Sequence, residues 1–344
     1  MDPLRIGLVG LGRVGRNVFR ILHGREDVRL VAVADATAGD QLEYLLRFDT
    51  LLGRFPHPLA VADGWIDSEG ERIRLVSQAK PAEVAWGEHG VDVVIEASDV
   101  PRERAELDAC LAQGARRIVL CTPSIEAPDA TVVMGINDST LRTEQRIVSN
   151  ASCTAHAVAP VLRVLAREFG VVRGLLTTVH AYSNEQRLAD VPAADLRRGR
   201  AAAENIIPQE TRAAEVLSGL LPELAGKLTA MALNVPVANG SAVDLVCWHE
   251  RDVSIAAIQD AMRAAAAGEL RGYLAFEDQP IVSSDILRSP FSGTFDAQAT
   301  MTVGKRVSKT LTWFDNSWAY ALRAIELAAR LAAFDRGTPV EIAR

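Results

Sequence analysis

Short apolar runs alternate, through the first half of the chain, with segments whose apolar positions recur at helical spacing. Leu4-Arg5-Ile6-Gly7-Leu8-Val9 reads as a buried strand that stops at Gly10-Leu11-Gly12-Arg13-Val14-Gly15. From Arg16 the period turns helical, with Val18, Phe19 and Leu22 on one face and Gly24 as the stop. Val28–Ala34 is a second buried strand, ending on Asp35. Further strands are predicted at 91–96, 117–121 and 131–135, with a helix over Arg102–Gln113 closed by Gly114. Strands and helices in this alternation predict an α/β fold with a doubly wound, mostly parallel sheet. Such sheets bind ligands beyond the carboxyl ends of their strands. The loops Asp35–Thr37, Ala97–Asp99 and Cys121–Pro123, with Ser98 and Thr122, are therefore expected to line a cofactor cleft.

The first turn carries more than a break. Strand, GxGxxG, helix, strand and acid follow in order, and Asp35 lies 20 residues past Gly15. Gly10 permits the tight turn, Gly12 lets backbone N–H groups approach a pyrophosphate, and Gly15 lets helix and strand pack closely. The helix N-terminus adds positive partial charge for the phosphates. Asp35 is placed to accept hydrogen bonds from an adenosine ribose, and its charge would repel a 2′-phosphate. NAD is expected rather than NADP.

Around residue 150 the pattern points to chemistry. Ser149-Asn150-Ala151-Ser152-Cys153-Thr154 precedes a helical run over Val158–Phe169, which sets Cys153 at or near a helix N-terminus, where thiolate is favoured. Leu175–His180 reads as a strand ending in a histidine. A thiolate nucleophile needs such an acid/base partner. Cys110, Cys121 and Cys247 sit in apolar runs and read as core. His156, one turn from Cys153, reads as a helix-face residue.

Composition narrows the partners. At 344 residues two domains are expected over one. A net charge of −7 without a basic block argues against nucleic acid or an anionic membrane surface. No apolar stretch reaches the ~18 residues of a membrane span. Four cysteines without CxxC spacing make no disulfide framework or evident metal site. The N-terminus leads straight into strand pattern, so the expected compartment is the cytoplasm. Neither repeats nor low-complexity segments are apparent.

Several stretches carry a specific resemblance. SNASCT followed by AP (Ser149–Thr154, Ala159-Pro160), GLGRVGR (Gly10–Arg16), EYLLRFDTLLGRFP (Glu43–Pro56) and VVMGIND (Val132–Asp138) stand in the first half. HAYSNEQR (His180–Arg187), DLRRGRAAAENIIP (Asp195–Pro208) and FDNSWAYALR (Phe314–Arg323) stand in the second. Over nearly its whole length the chain resembles the phosphorylating glyceraldehyde-3-phosphate dehydrogenases. The resemblance implies a Rossmann-type NAD-binding domain at 1–152 and an α+β catalytic domain with a mixed or antiparallel sheet at 153–316. A helix over 317–344 would return to the first domain. It implies Cys153 as nucleophile and His180 as base, with NAD contacts from Gly10, Gly12, Arg13, Val14, Gly15, Asp35, Ser98, Thr122, Asn316 and Tyr320. Asn316 would hold the nicotinamide carboxamide, and Pro192 accompanies NAD use. Substrate and phosphate contacts would come from Ser152, Thr154, Ser183, Arg200, Thr211, Arg212 and Asn234. The implied assembly is a homotetramer, and the implied partners are an aldehyde and inorganic phosphate.

The departures concentrate where the family binds anions. Asn234 stands where the family has arginine, which removes a charge and a bidentate fork suited to phosphate. Arg212 stands where the family has glycine, so a new cation is expected at the other anion site; a surface cation at a helix start is the alternative. Ser183 and Glu185 replace threonine and aspartate, and Ala155, His156 and Ala157 replace Thr, Asn and Cys. Ala97-Ser98-Asp99-Val100 replaces Ser-Thr-Gly-Val, and Ser317 replaces a glutamate. The expected activity is NAD-dependent oxidation of an aldehyde through a Cys153 thioester. Glyceraldehyde 3-phosphate or a related sugar phosphate leads, with a differently charged or unphosphorylated aldehyde, or a non-catalytic NAD-binding role, as alternatives.

Overall fold

A computed structural model describes residues 2–78, 80–122, 124–184 and 186–337. Pro123 and Glu185, both named above, lie outside the described residues. The chain forms two compact units, one of Met1–Val132, Asp138–Ala151 and Ala321–Arg344, the other of Val133–Asn137 and Ser152–Tyr320. The first unit resumes at Ala321, and the short internal segment Val133–Asn137 belongs to the second.

In the first unit, β1 (Leu4–Val9), β2 (Val28–Ala34), β3 (Val93–Glu96), β4 (Arg117–Leu120) and β5 (Ile147–Ser149) lie side by side. Their order is β5-β4-β3-β1-β2 within a nine-stranded sheet, and all these pairs are parallel. β3 and β4 are buried along their whole length, as expected of strands covered on both faces. The strand order reverses beside β1, so the loops after β1 and β3 open at one switch point. Two predicted elements are shorter than their patterns. The 131–135 strand shrinks to Ala130–Thr131 because the Asn137 side-chain carbonyl takes the Val133 N–H at 2.8 Å and Gly135 turns left-handed at φ 81°. The helix expected from Arg102 starts at Arg104, since Arg102 pairs with buried Glu96 at 2.9 Å and Glu103 forms a capping box with Glu106. The last helix, Trp318–Arg336, is tied to this unit by the Arg117–Asp335 ion pair at 2.8 Å.

In the second unit, β6 (Arg173–Ala181), β7 (Ile207–Gln209), β8 (Leu228–Val235), β9 (Ser241–Trp248), β10 (Leu274–Glu277), β11 (Gly293–Val303) and β12 (Val307–Phe314) build one mixed sheet. Its order is β7-β8-β6-β9-β12-β11-β10. The β6–β8 pair is parallel, and β7 runs antiparallel to β8 as the edge. The helix Cys153–Phe169 packs on β11 and β12. It approaches so closely that a Cβ on Gly293 would lie 2.7 Å from Ala157 O.

Candidate functional site

The glycine turn of the first unit fits a dinucleotide. Gly10 sits at φ 85°, and a Cβ there would lie 2.6 Å from Ser98 Cα, so only glycine lets the two switch-point loops meet. A Cβ on Gly15 would lie 1.9 Å from Gly10 O. At Gly12 nothing lies closer than 3.9 Å, which leaves room over the start of the helix Arg13–Leu22. Arg13 and Val14 are half-buried there. Asp35 Oδ2 accepts from Leu11 N at 2.7 Å and Oδ1 from Thr37 N at 2.8 Å. A carboxylate has about four lone-pair sites, so acceptor capacity remains for ribose hydroxyls. Ser98 Oγ accepts from Arg102 at 3.0 Å, and its backbone N–H donates to Glu96 at 2.8 Å. Burial pushes the Glu96 carboxyl up despite Arg102 and Ser98. Thr122 is buried, its hydroxyl directed at Glu96 O.

The second unit holds the Cys–His pair. Cys153 opens its helix, and the preceding residue, Ser152, caps it by accepting from Ala155 N at 3.1 Å. His180 stands one residue from the end of β6, and its Nε2 lies 3.6 Å from Cys153 Sγ. His180 Nδ1 faces Ala181 O at 2.6 Å. A carbonyl only accepts, so Nδ1 carries the proton and Nε2 of the neutral ring is free to take one from the thiol. The Ser241 hydroxyl holds Ala181 N at 3.0 Å and meets Asn316 Oδ1 at 2.9 Å, which orients the Asn316 amide. By contrast, burial pushes the Cys110 and Cys247 thiols up to about 12, which makes them inert. Cys121 is half-buried rather than a full core residue.

A cavity of about 240 Å³ opens beside the pair. Ser152, Thr154, Ser183, Thr211 and Asn234 line it, as the sequence predicts, together with four residues it did not single out: Thr178, Gln209, Glu210 and Ala232. The strand register explains this company. Across β6, β8 and β7 the pairs His180↔Asn234 and Asn234↔Ile207 make one row, and Thr178↔Ala232 and Ala232↔Gln209 make the next. Residues two apart on a strand share a face, so a threonine two before His180 was the available signal.

Comparison with known proteins decides the family. Residues 4–104 match the family described as glyceraldehyde 3-phosphate dehydrogenase, NAD binding domain, and residues 152–316 its C-terminal domain. Glyceraldehyde-3-phosphate dehydrogenase 2 of Streptomyces avermitilis is 42% identical over 326 residues, 94% of this chain and 97% of the relative. The chain belongs to the glyceraldehyde-3-phosphate dehydrogenase family. Glyceraldehyde-3-phosphate dehydrogenases of Geobacillus stearothermophilus (41% over 331 residues, 96% of this chain and 98% of the relative) and Streptomyces coelicolor (43% over 327 residues, 94% and 97%) are comparably similar. This member is an NAD-dependent dehydrogenase with a Rossmann NAD-binding domain.

Two of the arginines considered as substrate contacts lie outside the cavity lining. Arg212 is not part of the cavity lining; its side chain is 80% exposed and pairs with Glu215 at 2.9 Å, one helical turn along. Arg200 likewise turns to Asp190 at 3.1 Å and is exposed. Both guanidiniums pair with a nearby carboxylate in solvent. Among the described lining residues, only His180 can carry a positive charge. Tyr320 is buried with its ring edge-on to His156, at 6.0 Å between centroids, and His156 is itself buried rather than on an open helix face. Among the described residues, no group of three or more His, Cys, Asp or Glu is arranged to hold a metal, and no helix is long and apolar enough to cross a membrane.

Proposed function

We propose that this enzyme oxidises a small aldehyde through covalent chemistry on Cys153, with NAD⁺ as the oxidant. The observation that carries the reading is the 3.6 Å approach of Cys153 Sγ to His180 Nε2, with Nδ1 anchored on Ala181 O. Cys153 Sγ gives its proton to Nε2 and attacks the aldehyde carbonyl, forming a hemithioacetal. The Cys153 backbone N–H at the helix start and the His180 imidazolium stabilise the oxyanion. When bound, NAD⁺ supplies the hydride acceptor that converts the hemithioacetal to a thioester. Gly10, Gly12, Gly15 and Asp35 hold the nucleotide, and Asn316 orients the carboxamide. The acyl group then leaves Cys153 on phosphate or water, the hydroxyls of Ser152, Thr154 and Thr211 receiving that acceptor.

The relatives' names point to glyceraldehyde 3-phosphate, and a related sugar phosphate is the first substrate class. A second reading, an unphosphorylated aldehyde, is favoured by the cavity itself, whose described lining has the Glu210 carboxylate but no arginine or lysine. The family relationship supports a homotetramer in the cytoplasm. The test is NADH formation over a panel of aldehydes by wild type and Cys153→Ser. Loss of turnover in the serine variant, with its melting temperature and NAD binding kept, is expected. Full turnover without the thiol would remove the covalent mechanism.

A further inference from the structure

The floor of the cavity holds two polar atoms that the protein leaves unused. Thr178 is 2% exposed, and its Oγ1 is buried without a hydrogen-bond partner. Gln209 Nε2 is buried in the same condition. The register sets them in one row on either side of Ala232, and all three residues line the cavity. Buried polar groups are nearly always satisfied, so two orphans in one row of a cavity floor mark the place of a missing partner.

We infer that the Thr178–Ala232–Gln209 row is a subsite for an uncharged hydroxyl of the substrate, and that the substrate is a short hydroxyaldehyde without a phosphate. The inference rests on the covalent aldehyde chemistry proposed above. One hydroxyl complements both atoms chemically, its oxygen accepting from Gln209 Nε2–H while its proton goes to Thr178 Oγ1. The row lies two residues along β6 from His180, about 7 Å at ~3.3 Å per residue, which suits a hydroxyl a few bonds from a carbonyl held at Cys153. A phosphate dianion would meet the same donors beside the Glu210 carboxylate, and without a guanidinium to offset the desolvation of its charge.

The test compares kcat/KM for D-glyceraldehyde, D-glyceraldehyde 3-phosphate and propanal in wild type, Gln209→Leu and Thr178→Val, with acylation of Cys153 followed by intact mass. In wild type the unphosphorylated glyceraldehyde should exceed its 3-phosphate by about tenfold or more, the scale of a lost charge-assisted contact. Either substitution should lower the glyceraldehyde-to-propanal ratio by about 2- to 12-fold, the range of one neutral hydrogen bond. Thr178→Val is nearly isosteric, so the ratio is readable even if Gln209→Leu fails to fold. Preference for the 3-phosphate, or a ratio unmoved in the folded variant, overturns the subsite. Absence of acyl-Cys153 with every aldehyde overturns instead the covalent reading beneath it.

Discussion

Asp35 has two tasks, and a substitution there separates them. Its carboxylate holds Leu11 N and Thr37 N at 2.7 and 2.8 Å, which fixes the glycine turn, and its remaining lone pairs are the proposed acceptors for the ribose. Asp35→Ala removes both. The ribose contact is a hydrogen bond to a charged acceptor, worth about 1.5–3 kcal/mol, so NAD should bind about 10- to 150-fold more weakly. The lost backbone contacts loosen the turn and weaken NADP as well, but NADP also loses the repulsion between the carboxylate and its 2′-phosphate. The NAD-to-NADP preference should therefore collapse further than either affinity alone reveals. Titration calorimetry with both nucleotides, at low and high salt, gives the ratio; a melting curve reports damage to the turn. Wild type that binds NADP as tightly as NAD, or a preference that survives in Asp35→Ala, would refute the assignment.

Asp335→Ala should strip buried Arg117, whose side chain is 3% exposed, of its bidentate partner, at a cost of about 3 kcal/mol. The Arg117 guanidinium holds the Asp335 carboxyl below its ordinary value. Its contribution is thus complete above the unfolded pKa of about 3.9 and lost as pH falls through the lower folded value. Urea titrations should show a wild-type advantage that is flat from pH 5 to 8 and shrinks below pH 4; an advantage independent of acid would contradict the pairing. Asp99→Gly should tighten NAD by about two- to fivefold at low salt, because Asp99 Oδ2 lies 3.9 Å from the point a Gly12 Cβ would occupy, facing the phosphate turn. Its stability should barely change, since relief of the left-handed φ of 62° is offset by the extra freedom glycine gives the unfolded chain. Weaker NAD binding in this variant would show that the carboxylate does not oppose the pyrophosphate. Iodoacetamide should label Cys153 before Cys110 and Cys247, whose thiols burial pushes up to about 12; peptide mapping with an early label at either buried site would contradict their inertness.

What the chain disclosed and what it withheld divide along the range of the interactions. The glycine turn with Asp35 and the position of Cys153 at a helix start are local, and each follows from spacing and backbone chemistry. Residues paired only by sheet register are not local. Thr178, Ala232 and Gln209 are up to 54 residues apart, and no pattern in one segment announces the others. Arg212, open between an anion-site cation and a surface cation at a helix start, turns on the opposite, short range. A neighbour three residues away, Glu215, pairs with its guanidinium in solvent. The 131–135 strand fails at similar range, undone by the side chain of Asn137.

The distribution of changes has a structural logic. Cys153 and His180 are set by the frame: a capped helix start, a strand end held by Ser241, and a ring nitrogen fixed on Ala181 O. Moving either atom by an ångström would require moving the frame, whose central strands pair on both sides. Several residues of the cavity lining are placed otherwise. Gln209 closes a three-residue edge strand, paired on one side only, and Glu210 and Thr211 follow on the loop that leaves it. Substitutions on such an edge alter the charge and hydrogen bonding of the cavity without entering the core. Asn234 is the exception, since it sits between His180 and Ile207 in a paired row. An arginine there would extend past that row into the cavity, so the amide exchanges a projecting cation for a short neutral wall. Groups on the edge can thus change around a fixed Cys–His pair, and in this chain no arginine or lysine is among the described lining residues while Cys153 Sγ and His180 Nε2 stand 3.6 Å apart.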